Sequence, residues 1–218
     1  MIKNLNNIIY MNNTINVKFK NYEFAVPANK SILILTTPRT GSNALCSVLE
    51  KITGKINLAE IFAPYNALGV KEWLHKYQDC VTIIKMFPTH TIDPIYYQKI
   101  LKNSFVIGLY RRDFLAQALS YVIAFKTNTY ASNCNRQKVT RDAIDIQNSD
   151  LDNWGKLVAD QRNQYSLNRD LFDIELAYED IIDDLAECDD HAILEKVANY
   201  DQLLDELQKL FPEHTYDL

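Results

Sequence analysis

Residues 31–45, Ser-Ile-Leu-Ile-Leu-Thr-Thr-Pro-Arg-Thr-Gly-Ser-Asn-Ala-Leu, limit the possible folds more than any other stretch. Ser31 to Leu35 is a short apolar run of the length of a buried strand. Thr36 to Asn43 is a loop of small residues. Beyond it, Leu45, Val48, Leu49 and Ile52 fall on one face at helical spacing. A strand, a small-residue loop and a helix in succession bring backbone N–H groups and a helix N-terminus to one point, which suits an anion. On this stretch alone, an ordinary strand-to-helix turn with a surface Arg remains the bland alternative.

The nucleotide-kinase pattern G-x-x-x-x-G-K-[ST] uses its Lys for the β/γ-phosphates and its hydroxyl for magnesium. With the second glycine on Gly41, the Lys position holds Ser42, the magnesium-ligand position holds Asn43 and the first glycine is Thr36. The loop lacks the phosphate clamp and the metal anchor but carries a guanidinium at Arg39. Such a loop suits an anionic donor handled without magnesium, with Arg and backbone amides meeting the charge.

The rest of the chain supplies a sheet for this loop. Ile15, Val17 and Phe19 alternate with Asn16, Lys18 and Lys20, and Tyr22, Phe24 and Val26 keep the rhythm, which predicts an antiparallel ribbon within residues 1–30. Further strands are predicted at Val81 to Phe87, Phe105 to Tyr110 and Asp173 to Ala177. Helices are predicted at about 70–76, 93–102, 113–125, 151–169, 179–186, 190–199 and 201–210, with Asp93 and Pro94 as cap and first residue of theirs. Residues 56–70 read as irregular and apolar, and 127–149 as a long polar loop. Strands separated by helices predict a three-layer α/β domain, P-loop NTPase-like, with a central parallel sheet flanked by helices and an N-terminal β-ribbon extension. We read 1–218 as one domain: ribbon to residue 30, core 31–200, and a C-terminal helix and tail at 201–218.

The segment Thr-Pro-Arg-Thr-Gly-Ser-Asn-x-Leu resembles the 5′-phosphosulfate loop of sulfotransferases that use 3′-phosphoadenosine 5′-phosphosulfate (PAPS). It is most similar to the bacterial carbohydrate group acting on trehalose or lipochitooligosaccharides. In that family an Arg just past the third strand and a Ser eight residues on hold the donor's 3′-phosphate; Arg112 and Ser120 have that spacing, with solvated helix-start arginines and a core hydroxyl bonded to a carbonyl as the alternative. Arg111 either adds charge there or pairs with a carboxylate. Ala124 to Tyr130 resembles the A-x-x-T-x-x-W segment, with Tyr130 in place of Trp, and Leu176 to Ile182 resembles the Y-E-D-L segment after the last core strand. The late R-K-G-x-x-G-D-W donor loop is absent, which leaves the adenine contacts unassigned. The resemblance covers roughly 31–200. It implies donor contacts from Pro38, Arg39, Thr40, Gly41, Ser42, Asn43, Arg112 and Ser120, with PAPS as co-substrate, PAP as product and no metal.

Sulfuryl transfer needs a base for the acceptor hydroxyl, cations at the reacting oxygens and in-line alignment. The resemblance puts the base at Glu60, in Asn-Leu-Ala-Glu-Ile-Phe, where the sequence neighbours are apolar. A surface carboxylate is the alternative. Lys85, at the end of an apolar strand, either reaches the sulfuryl group or makes a salt bridge; an unpaired ammonium there would be costly. His90 is the rival base, but its spacing from Lys85 departs from the cytosolic enzymes' K-T-H pattern, and a capped loop histidine is the alternative.

The net charge of −5 argues against nucleic acid or an anionic membrane as partner, though not against a nucleotide at a local cationic cluster. No apolar run approaches the roughly 20 residues of a membrane span. The four scattered cysteines read as reduced thiols, and the expected location is cytoplasmic. Partners are then the donor and a small-molecule or glycan acceptor, with a homodimer left open. Residues 61–80 and 127–149 are the expected acceptor lining, where Phe62, Tyr65, Trp73 and Tyr130 either stack on sugar rings or, equally well, pack in the core. A degenerate P-loop kinase or NTPase and a non-catalytic PAP-binding relative remain the other readings.

Overall fold

The computed structural model describes residues 13–62, 80–90, 92–127, 146–185 and 200–212. Strands β1 (Thr14–Lys18) and β2 (Glu23–Pro27) form the antiparallel ribbon, with Val17 opposite Phe24. The main sheet contains β3 (Ser31–Thr36), β4 (Ile56–Asn57), β5 (Thr82–Met86), β6 (Ser104–Tyr110) and β7 (Ile174–Ala177). It is all parallel, in the order β4-β5-β3-β6-β7. After β5 the chain crosses over β3 to enter β6. This reversal opens a crevice at the carboxyl end of β3, where open parallel sheets take their ligands.

Alternation along β3 builds two apolar layers. Ile32 and Ile34 pack into one with Leu45 and Leu49 of α1 (Ser42–Thr53). Leu33 and Leu35 pack into the other with Ile100 of α2 (Pro94–Lys102). A strand buried on both faces reads as an unbroken apolar run, as this one does. On the first face the α1 layer also holds the ribbon's Val17, Phe19 and Val26, and Ile181 and Leu185 of α5 (Tyr178–Leu185). A third cluster joins α3 (Phe114–Thr127), α4 (Asn148–Ser166) and α6 (Tyr200–Leu210) through Leu119, Leu151, Val158 and Leu207. The three-layer architecture with its N-terminal ribbon is therefore observed.

Local differences have local causes. Helix α4 begins a turn before the expected Leu151, because Asp150 accepts the backbone N–H of Gln147 and caps the start. Within the stretch read as irregular, Ile56 and Asn57 pair with Thr82 and Ile83 as an edge strand too short for any periodicity to show. Helix α2 starts as expected, with Asp93 Oδ1 accepting the Ile95 N–H at 2.9 Å. The helices expected at 70–76 and 190–199, the loop segment 128–145 and the aromatics Tyr65, Trp73 and Tyr130 lie outside the described residues. Of its two readings, acceptor contact or core packing, Phe62 takes the second and is buried in the α2 layer.

Leu45 is fully buried between α1 and β3. Leu45→Ala should destabilise the chain by about 2–5 kcal/mol, read as a lower urea midpoint with an unchanged slope.

Candidate functional site

The loop between β3 and α1 is held open by its own backbone geometry. Arg39 lies at φ 63° and Gly41 at φ 72°, both left-handed. For Arg39 this is an uncommon conformation that the surroundings must stabilise. Gly41 is the N-cap of α1, and no side chain caps that helix. The first N–H groups of α1 thus have no intrahelical acceptor and face the crevice end of the sheet.

Four carbonyls of the loop are occupied elsewhere. Thr40 Oγ1 donates to Thr37 O at 3.0 Å, and Gln117 Nε2 donates to Pro38 O at 2.6 Å. Arg111 Nη1 donates to Arg39 O at 3.4 Å, and Leu45 N–H donates to Gly41 O at 3.0 Å. The Thr40 hydroxyl, expected on the ligand, is buried and also lies 2.5 Å from Thr36 Oγ1, so it braces the loop from within. Gln117 is fully buried and in turn accepts from Arg162 Nη1 at 3.1 Å. Arg162 also takes the carbonyl of Arg111 at 2.7 Å.

The two expected halves of the donor site meet in one side-chain bond: Arg39 Nε donates to Ser120 Oγ at 2.9 Å. Arg112 turns a different way. Its guanidinium forms a two-pronged pair with Asp180 of α5, Nη1 to Oδ1 at 2.7 Å and Nη2 to Oδ2, and its backbone N–H donates to Glu179 Oε2 at 3.1 Å. The structure therefore gives Ser120 to Arg39 and Arg112 to Asp180. The Arg112 guanidinium holds the Asp180 carboxyl below the usual carboxylate range. Arg111 is largely buried, with its charge over the Tyr178 ring at 5.0 Å and its Nε 4.0 Å from Glu179.

Beside the loop stands a second charged pair. Lys85, 2% exposed on β5, lies 2.5 Å from Glu60 Oε1 and donates to Asn43 Oδ1. Glu60 thus sits against an ammonium, not in the apolar surroundings that its sequence neighbours suggested. Ala59, at φ 49°, accepts the Lys85 N–H at 2.9 Å, and this fixes the turn that delivers Glu60. Burial pushes the thiol of nearby Cys46 up to about 12, so it stays protonated. His90 Nδ1 accepts the Phe87 N–H at 3.3 Å, and burial holds this imidazole below its ordinary range and neutral. That is a capped loop histidine.

Next to these groups is a cavity of about 200 Å³ whose lining includes Phe87, His90, Tyr97, Tyr165 and Asn168. The Lys85 ammonium is 5.2 Å from the centre of the Phe87 ring, which lines this cavity. Among the described residues, no three His, Cys, Asp or Glu side chains gather in a metal-holding group. No helix of the described residues is long and apolar enough to cross a membrane.

No protein-family model and no curated protein matches this sequence. Among solved structures, one similar chain is a gluconokinase from Sinorhizobium meliloti 1021, 11% identical, covering 85% of this chain and 95% of that one at a TM-score of 0.41. Another is mouse sulfotransferase SULT7A1 complexed with PAP, 12% identical, covering 92% of this chain and 75% of that one at a TM-score of 0.47. Neither likeness decides the reaction. The chemistry rests on this chain's own side chains.

Gln117 and Arg162 carried no sequence signal and Asp180 only its place in the Y-E-D-L-like segment, although each holds a site residue in place. Gly41 can be tested directly. A Cβ there would meet the Tyr178 ring at 2.5 Å, whereas at Gly54, with a similar φ of 68°, it would meet nothing within 4 Å. Gly54→Ala should cost about 1 kcal/mol from backbone strain alone. Gly41→Ala should cost at least about twice that, because the ring adds overpacking. Urea unfolding of the two variants side by side checks the difference.

Proposed function

We propose that the chain transfers the sulfuryl group of PAPS to a hydroxyl of a carbohydrate or glycoconjugate acceptor. The observation that carries this reading is the meeting, at Asn43, of an uncapped helix start with the Lys85–Glu60 pair. Together these supply an anion seat, a fixed cation and a carboxylate at the crevice end of the sheet, with Arg39 and Ser120 linking the seat to α3.

In this mechanism the backbone amides of Thr40 to Asn43, with Pro38 shaping the turn and Ser42 at the helix start, hold the 5′-phosphosulfate. Arg112 and Ser120 take the 3′-phosphate. The acceptor enters from the ring-walled cavity, where aromatic faces stack on a sugar ring and His90 and Asn168 offer polar contacts. Glu60 removes the hydroxyl proton as the acceptor oxygen attacks sulfur. The bond from sulfur to the 5′-phosphate oxygen breaks, and PAP leaves with the electron pair. Lys85 has three donors, enough to keep Asn43 and Glu60 while turning the third to the sulfuryl oxygens. Arg39 meets the charge that grows on the leaving phosphate. Ser42 and Asn43, in place of the kinase Lys and Ser/Thr, favour this chemistry over γ-phosphoryl transfer.

PAP should raise the melting temperature in the absence of magnesium, as a ligand of the native state must. Glu60→Gln should keep that shift and lose about 10²–10⁴-fold in turnover. Turnover is measured as transfer from labelled PAPS to a panel of sugars, read by mass spectrometry. Full turnover by Glu60→Gln would remove the base assignment. Stabilisation by ATP with magnesium, and none by PAP, would point to a kinase-like site instead. PAP binding without turnover on any acceptor would point to a non-catalytic relative.

A further inference from the structure

Asp180 stands where two structural units meet. One of its oxygens accepts from the Tyr22 hydroxyl of the ribbon at 2.9 Å, and the same hydroxyl accepts the Ala177 N–H at 3.3 Å, which fixes the direction of its donated bond. The ribbon's turn is tied to the same helix by Asn21 Nδ2 to Asp180 O at 3.0 Å and by the Lys20 N–H to Asp184 at 2.9 Å. On the other side the carboxylate grips the end of the Arg112 guanidinium. The backbone of Arg112 is held as well, its N–H by Glu179 and its carbonyl by Arg162 Nη2 at 3.4 Å. The Arg112 side chain is still 37% exposed, and five donors on a guanidinium leave N–H groups for a second anion.

We propose that Asp180, itself fixed by Tyr22, is a positioning residue that sets Arg112 for the donor's 3′-phosphate, so that the N-terminal ribbon controls discrimination between adenosine nucleotides with and without that phosphate. The proposal rests on the donor assignment above. An unheld Arg would lose rotamer freedom when it met a phosphate, and that loss would weaken binding. With Asp180 in place the ordering is already done in the free protein. The effect belongs to the 3′-phosphate alone, because the hydrogen bonds of the Asp180 carboxylate run to Arg112 and Tyr22 and not to the loop and α1 assigned to the 5′-phosphate.

The test is calorimetric titration of the full chain with PAP and with adenosine 5′-monophosphate, which lacks the 3′-phosphate. Asp180→Asn should weaken PAP about tenfold, the scale of one charged hydrogen bond. The monophosphate should stay within about twofold of the wild type. Tyr22→Phe removes one hydroxyl and should move PAP the same way by about threefold; it carries the test should Asp180→Asn not fold. Equal losses for both nucleotides would reduce Asp180 to a structural role and overturn the proposal. Tighter PAP binding would show a carboxylate that competes with the phosphate, and unchanged affinities would show one that does nothing; either overturns it too. Wild-type protein that fails to bind PAP would instead overturn the donor assignment, and this inference with it.

Discussion

A loop that turns its N–H groups toward one point must turn its carbonyls away, and every buried carbonyl then needs a donor. That constraint organises this fold. The carbonyls of Thr37, Pro38, Arg39 and Gly41 are taken by Thr40, Gln117, Arg111 and the Leu45 amide. Two of these donors come from the segment after β6, far along the chain. The loop therefore keeps its left-handed residues only because β6 lies beside β3 and delivers that segment. Arg162 extends the support by one layer, since it holds both Gln117 and the carbonyl of Arg111. Helix α4 thus braces the loop through Gln117 and Arg111.

Charge follows the same logic of mutual support. The chain is acidic overall, yet Arg39, Lys85, Arg111 and Arg112 gather at the carboxyl end of its sheet. Cations packed together repel unless each finds a local partner. Lys85 has Glu60 and Asn43, and Arg112 has Asp180. Arg111 has Glu179 and the face of Tyr178, and Arg39 leans on the Ser120 hydroxyl. For the nearly buried Lys85 the pairing is compulsory: an ammonium stripped of water and left unpaired would cost several kcal/mol. Glu60 therefore has a structural duty before any catalytic one. Asp180 is more exposed, so its pair with Arg112 is worth less as stability than as geometry.

The architecture was legible in the sequence because periodicity is a local property. The apolar run of β3, the Asp93–Pro94 start of α2 and the alternation through the ribbon each lie within a few residues and each appear as written. The small-residue loop was legible for the same reason. What could not be read was the company each site residue keeps across the fold. Glu60 has apolar neighbours in sequence, but its neighbour in space is Lys85, brought there by pairing of β4 with β5. Arg112 and Asp180 are 68 residues apart, and no periodicity links them. Gln117 reads as an ordinary helix residue until the loop carbonyl it serves is placed against it.

These long-range contacts bear on how the site would treat a metal. In kinases of this loop type, the residue at the position of Asn43 carries a hydroxyl that binds magnesium. Here Asn43 offers its carbonyl oxygen to the Lys85 ammonium. A divalent ion at that point would have to displace a buried, tethered cation that already has Glu60 as its counter-charge. An ammonium carries half the charge of magnesium and delivers it through directional N–H groups. Without a divalent ion beside it, an ammonium offsets less of a triphosphate's concentrated charge, whereas in the proposed transfer it faces a sulfuryl group with a single negative charge. Under the sulfuryl-transfer reading, the substitution at Asn43 and the burial of Lys85 are one adaptation: the cation is built into the strand, and the loop is shaped to receive it.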